Sequence, residues 1–172
     1  MEKKPLASRI GKSMLILFWL GLLALLTFGF EHWQQKLFNP NSSPQSARIG
    51  NLIEVPLKGN RQGHYLVNGA INGRPVTFLI DTGATYVAIP AELQQELGLT
   101  PGRKQLVMTA NGSATAYQTQ LDTVSIGEIK LGDVRAALVP NMPGRQVLLG
   151  MSVLKEIEFV QRADTLTLRQ YQ

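Results

Sequence analysis

The sequence predicts a mostly-β, barrel-like domain preceded by a single membrane-spanning helix. Three observations carry that reading: short apolar runs cut by turn dipeptides fill the chain from about residue 50 onward, helix-forming patterns are scarce there, and one charge-free run, Met14 to Phe30, lies near the N-terminus. With 172 residues and 44% hydrophobic content, the chain holds about one domain with one modest core.

The N-terminal run is interrupted only by Thr27, Gly21 and Gly29. As a helix, residues 13–30 reach roughly 27 Å at about 1.5 Å per residue, close to the hydrocarbon thickness of a thin bilayer. Lys3, Lys4, Arg9 and Lys12 precede the run, whereas only Lys36 and Arg48 follow within a comparable distance. Positive charge on the cytoplasmic side then places residues 1–12, a basic tip, in the cytoplasm and everything after the span outside. A cleaved signal peptide would have a shorter apolar core and a small-x-small cleavage site, which is missing, so the run reads as a signal-anchor. Residues 13–30 are expected to contact lipid of the inner (cell) membrane, leaving the domain on its outer or periplasmic side.

Charge argues against a nucleic-acid partner. Of 17 basic and 12 acidic groups, four and one fall in the first twelve residues, leaving 13 and 11 and a balance of only +2. No Lys/Arg cluster with interleaved aromatics follows. The absence of cysteine excludes disulfides, thiol catalysis and cysteine-based metal sites.

Residues 31–49 read as a flexible tether, with the polar, proline-containing stretch from Asn39 to Ser46 as its centre. The domain is expected over 50–172. Its apolar runs are Leu52 to Leu57, His64 to Ile71, Pro75 to Ile80, Thr85 to Ile89, Gln105 to Thr109, Thr115 to Ile126, Ile129 to Leu131, Val134 to Val139 and Glu156 to Arg162. Asn72-Gly73, Asn111-Gly112 and Gly127-Glu128 lie between such runs, and Asn-Gly supplies the positive φ values of a tight hairpin. Two short helices are expected. One runs over Pro90 to Leu97, with proline at its start, Leu93 and Leu97 one turn apart and Gly98 as a stop; the other covers Met151 to Lys155.

The segment richest in chemistry is Phe78-Leu79-Ile80-Asp81-Thr82-Gly83-Ala84, where an apolar strand ends in an acid, a hydroxyl and a glycine. An acid there sits at the rim of a core. Burial disfavours a carboxylate's charge and a second carboxylate nearby does so further, so two such acids can share one proton and work together as acid and base. Gly83 lets a peptide backbone approach closely. Asp-Thr-Gly alone arises by composition in roughly one chain in fifty of this length, and its flanks make the extended motif about two orders of magnitude rarer.

On these residues the sequence resembles the retropepsin-like aspartic proteases, in particular small bacterial membrane-anchored members that carry Asp-Thr-Gly-Ala after an N-terminal span. The resemblance covers about residues 60–172, and its parts follow the family's order: the Asn72-Gly73 hairpin, the Asp81 to Ala84 motif, the Thr85 to Ile89 strand, a flap-like hairpin at Asn111-Gly112, and Leu148-Leu149-Gly150 before a short helix. It implies a closed β-barrel and a homodimer that hydrolyses polypeptide substrates without a cofactor. It further implies that Asp81 activates the lytic water, Thr82 bonds across the subunit interface, Gly83 contacts substrate backbone, Ala84 lines the site, and Leu148, Leu149 and Gly150 brace the catalytic loop. The stretch Thr109 to Thr115 departs from the family in lacking the glycine-rich flap tip of viral members.

Other chemistries fade. His32 and His64 lack metal-ligand spacing, and no metal is implied. Ser152, in Gly150-Met151-Ser152-Val153-Leu154, lacks the second glycine of a nucleophile elbow, and no Gly-Lys phosphate loop is present. The competing expectation from a different class is a non-enzymatic, membrane-tethered β-barrel dimer or peptide-binding scaffold of the same fold. An intact Asp81-Thr82-Gly83 favours the enzyme, since a scaffold has no need of a rim-buried acid.

Overall fold

The computed structural model describes residues 6–109 and 112–172. Its chain divides into two units, residues 1–37 and 38–172.

Within the first unit runs almost all of helix α1 (Leu6–Phe38). Between Met14 and Phe38 its most apolar 18-residue window has a mean hydropathy of 2.1, and it is long and apolar enough to cross a membrane. The single hydroxyl in its apolar stretch is satisfied locally: Thr27 Oγ1 donates to the carbonyls of Leu23 and Ala24, at 3.0 and 2.8 Å. The helix outlasts the predicted span by two turns. Glu31, Gln34, Gln35 and Lys36 are good helix formers, and Pro40 disfavours helical geometry at Asn39, where the helix has ended.

The second unit opens with a correction. The predicted flexible tether is fastened to the domain, because Asn39 and Asn41 are buried. The Asn41 side chain donates to the carbonyls of Lys58 and Leu66, at 2.9 and 2.7 Å, and accepts the Lys58 N–H at 2.8 Å. Asn39 Nδ2 donates to Asn68 Oδ1 at 2.9 Å. Polarity, which suggested solvation, here serves to replace missing strand partners.

Among the described residues eleven strands follow in chain order: β1 (Ala47–Ile49), β2 (Leu52–Lys58), β3 (Leu66–Ile71), β4 (Arg74–Ile80), β5 (Val87–Pro90), β6 (Lys104–Thr109), β7 (Gly112–Ile126), β8 (Ile129–Val139), β9 (Val147–Leu149), β10 (Glu158–Arg162) and β11 (Thr165–Tyr171). One sheet has the order β3-β4-β9-β5-β8-β7-β6, and pairing of Ala70 with Ser125 and Ile71 with Val124 joins β3 to β7 and closes it into a barrel. The other has the order β1-β2-β11-β10. Both contribute to one core: Phe78, Val87, Ile89, Leu121, Leu138 and Leu149 from the barrel, and Ile53, Val55, Leu57, Leu166 and Leu168 from the second sheet. Each such side chain, fully buried, stabilises the fold by about 1.5–3 kcal/mol.

The Asn72-Gly73 hairpin joins β3 to β4 with φ of 50° and 76°, the pair of positive values its sequence demands. Three expectations need amendment. Ile129–Leu131 and Val134–Val139 form one strand, β8, whose ladder with β7 is interrupted where Asp133 takes φ 53°. The helix expected over Pro90–Leu97 is a 3₁₀ turn, Ala91–Leu93, followed by further turns that end at Gly98, φ 64°. Strands β1, β9 and β11 add to the predicted set. Helix α2 (Met151–Leu154) forms where the second helix is expected.

Candidate active site

Asp81 follows the last residue of β4, a strand held in place by Phe78 in the core and by parallel pairing with β9: Phe78 with Val147, Leu79 with Leu148 and Ile80 with Leu149. The contact continues into the motif, where the Asp81 N–H donates to the Leu149 carbonyl at 3.2 Å. Asp81 then turns the chain. Its Oδ1 accepts the Gly83 N–H at 2.9 Å and its carbonyl accepts the Ala84 N–H at 3.3 Å. One carboxylate oxygen is thereby fixed by backbone, an Asx turn that sets the side-chain direction. Asp81 and Ala84 are half-buried; Thr82 and Gly83 are exposed.

The far side of the loop hangs from the start of α2. The Met151 N–H donates to the Ala84 carbonyl at 2.8 Å, and the Ser152 N–H to the Thr85 carbonyl at 2.9 Å. Ser152 Oγ in turn accepts the Val87 N–H at 3.0 Å. Gly150 takes φ −87°, which any residue adopts, so conformation does not require glycine here. Space does: a Cβ at Gly150 would come within 2.6 Å of the Ala84 carbonyl oxygen and closer still to that of Tyr86. Strand β9, parallel to β4 and antiparallel to β5 through Leu148 and Ala88, thus clamps both ends of the acid-bearing loop.

The structure therefore brings Asp81, Thr82, Gly83 and Ala84 together with Leu148, Leu149 and Gly150. It sets apart the flap-like hairpin of β6 and β7, in which Lys104 pairs with Tyr117 and the ladder runs to Thr109 and Gly112. Gly112 opens β7 at φ 104°, while Asn111 lies outside the described residues. Leu106 and Met108 on β6 are 78% and 83% exposed, unusual for residues of their size. Ser152, which lacks the context of a nucleophile, has a role that sequence reasoning misses: it is an acceptor inside the brace, signalled by its place in the first turn of a helix after an apolar-apolar-Gly strand.

Comparison with known proteins agrees with this geometry. Residues 67–156, just over half of the chain, match the family described as "gag-polyprotein putative aspartyl protease". An uncharacterized protein encoded in the cobV 5′ region of Sinorhizobium sp. is 37% identical over 120 residues, covering 67% of this chain and 52% of its own length. An uncharacterized protein of Rickettsia prowazekii (strain Madrid E) is 27% identical over 124 residues, covering 66% of this chain and 48% of its own length. The chain thus spans about half the length of these curated relatives. Among solved structures, a retropepsin-like aspartic protease from Rickettsia conorii superposes with a TM-score of 0.58 at 28% identity, covering 74% of this chain and 95% of that one. With the acid-bearing loop clamped between β4 and β9, and with the family match spanning that whole arrangement, this chain belongs to the retropepsin-like aspartic protease family.

Proposed function

We propose that the protein is an aspartic endopeptidase whose dyad is made of Asp81 from each of two identical subunits. The observation that carries the reading is the Asp81 loop: an acid at the rim of a core, oriented by Gly83 and anchored to β9 through Leu149. That arrangement fixes an acid against the entropy of a loop, as general acid–base chemistry requires.

In the proposed reaction the two carboxyl groups share one proton. The ionised one takes a proton from water as its oxygen attacks the scissile carbonyl carbon, and the protonated one gives its proton to the carbonyl oxygen. The tetrahedral diol then collapses: one diol hydroxyl returns its proton to the dyad as its C–O bond becomes C=O, the C–N bond breaks, the amine leaves with a proton from the other carboxyl group, and the carboxyl product is released with the dyad again holding one shared proton. No covalent enzyme intermediate forms. Gly83, exposed and without a side chain, leaves room for substrate backbone, and Thr82, also exposed, is available to the second subunit. The β6–β7 hairpin is the proposed flap, and Asn111 and Gly112 are its proposed substrate-facing residues.

The proposed setting is the inner membrane, crossed once by α1 with the N-terminus in the cytoplasm and the domain on the outer or periplasmic side. Its support is the apolar stretch of α1 from Met14 onward and the four basic residues Lys3, Lys4, Arg9 and Lys12 ahead of that stretch. Cleavage of an unbiased peptide mixture by the chain and by its Asp81→Asn form tests the activity. Cleavage abolished in Asp81→Asn is expected; equal cleavage by both would dismiss the dyad.

A further inference from the structure

A cavity of about 520 Å³ lies between the base of the β6–β7 hairpin, strand β8 and Tyr86, with Arg103, Gln105, Gln118 and Arg135 in its wall. Among the described residues no carboxylate lines it. Among the described residues neither arginine has an ion-pair partner. Gln105 Oε1 accepts from Gln118 Nε2 at 2.9 Å, while Gln105 Nε2 is buried and has no partner. Two guanidinium groups and an unmatched amide donor therefore share a polar recess of the size of a ligand site. A buried donor left unmatched is costly, so the recess favours an acceptor-rich occupant.

The wall is built, not adventitious. Gly102 N–H donates to the Gln118 carbonyl at 2.7 Å, Gln118 N–H to the Arg103 carbonyl at 2.9 Å, and Thr119 Oγ1 to the Thr100 carbonyl at 2.9 Å. These three bonds hold the segment carrying Arg103 against β7. The backbone of Arg135, whose side chain is exposed, is fixed by the β7–β8 ladder, opposite Gln120 and between buried Val134 and Ala136. Carboxylate is the complement of such a pair, because guanidinium presents paired donors at its spacing.

We infer that this recess is an outer subsite for acidic side chains of the polypeptide substrate, an inference that rests on the proposed protease reading. Tyr86 belongs to the same loop as Asp81, five residues on, so at most about 18 Å of extended chain separates them. A substrate running from Asp81 along the hairpin base brings a Glu or Asp within about five residues of the scissile bond into reach of Arg103 and Arg135. The enzyme therefore selects acidic sequence beside its cleavage site, and does so more strongly at low ionic strength.

Binding to the full chain in detergent, carrying Asp81→Asn so that nothing is cleaved, tests this independently of catalysis. The probes are fluorescein-labelled alanine-based decapeptides with a Glu-Glu pair stepped along the chain, and the same set with Gln-Gln. At least one Glu-Glu peptide is expected to bind tenfold or more tighter than its Gln-Gln counterpart, with the advantage lost in Arg103→Gln/Arg135→Gln and largely kept in Arg103→Lys/Arg135→Lys. Equal binding of the two sets, or an advantage unchanged in the glutamine variant, would overturn the subsite. Citrate binding as tightly as the best peptide would make this a small-anion site and overturn the substrate assignment. If acidic peptides bind as expected but the unmutated chain cleaves none of them, the protease reading fails and the acidic-peptide site stands.

Discussion

Ser152 Oγ accepts the backbone N–H of Val87 at 3.0 Å, tying the first turn of α2 to the first residue of β5. The serine hydroxyl is thereby occupied in holding the strand that leaves the Asp81 loop. Ser152→Ala strips an acceptor from a partly buried N–H, a loss of about 1–2 kcal/mol. Thermal unfolding should fall by several degrees while peptide turnover persists, measured on the same preparation. Abolished turnover with unchanged melting would instead make Ser152 a participant in the chemistry.

Gly150 bears on the same brace more severely. A methyl group there would be driven into the carbonyl oxygens of Ala84 and Tyr86, and backbone atoms cannot swing aside as a long side chain does. Gly150→Ala should cost about 2–4 kcal/mol, read as a lower denaturant midpoint, and turnover should fall even where the chain remains folded. A midpoint within error of the parent's would show that the loop is not clamped as described.

How much of this was legible in the sequence follows from which interactions are local. The Asn72-Gly73 hairpin was readable because two adjacent residues supply both positive φ values. Strand β4 and the acid at its end were readable because apolar residues run without break into Asp81. Strand β11 carried a signal that was passed over, the alternation of buried Leu166 and Leu168 with more exposed neighbours, and its hairpin turn hid because Ala163 takes φ 52° where glycine or asparagine is the usual marker. The 3₁₀ turn after Pro90 differs from a helix only in the reach of its hydrogen bonds, which spacing of Leu93 and Leu97 cannot report. Least legible was the clasp of Asn39 and Asn41, whose partners lie 17 to 29 residues away. Polarity there is identical for a solvated linker and for a buried hydrogen-bonding hub.

That clasp is itself testable. Asn41→Ala removes one donor group and one acceptor that serve three backbone groups on Lys58 and Leu66, and should destabilise the domain by about 2–3 kcal/mol. A domain starting at residue 50 should melt below one starting at residue 38 by a similar margin. Identical melting curves for the two fragments would return residues 39–49 to the status of a tether.

Topology yields a simpler expectation. If the four basic residues ahead of the apolar run that starts at Met14 hold the N-terminus in the cytoplasm, a reporter that is active only after export, fused at Gln172, should be active. Activity of a cytoplasm-only reporter at the same position, with the exported one silent, would reverse the orientation.

The proposed two-subunit dyad makes the most demanding prediction. Asp122-Thr123 and Asp164-Thr165 are the only other Asp-Thr pairs in the chain, and neither is followed by glycine. Asp122 lies within β7 and Asp164 in the turn between β10 and β11, so neither occupies a strand-end loop like that of Asp81. Residues 1–172 therefore hold no second acid equivalent to Asp81. The exposed Leu106 and Met108 on the proposed flap offer apolar surface that a self-complementary interface would bury. Activity should accordingly fall steeply on dilution. It should also be poisoned by mixing: when Asp81→Asn chains are co-folded in equal amount with the unmutated chain, random pairing leaves about one dimer in four with both acids. A carboxamide has no proton to share, so mixed dimers should be nearly inactive and total activity should fall to about a quarter. A fall to only one half would mean that each chain works alone, and the two-subunit dyad would have to be abandoned.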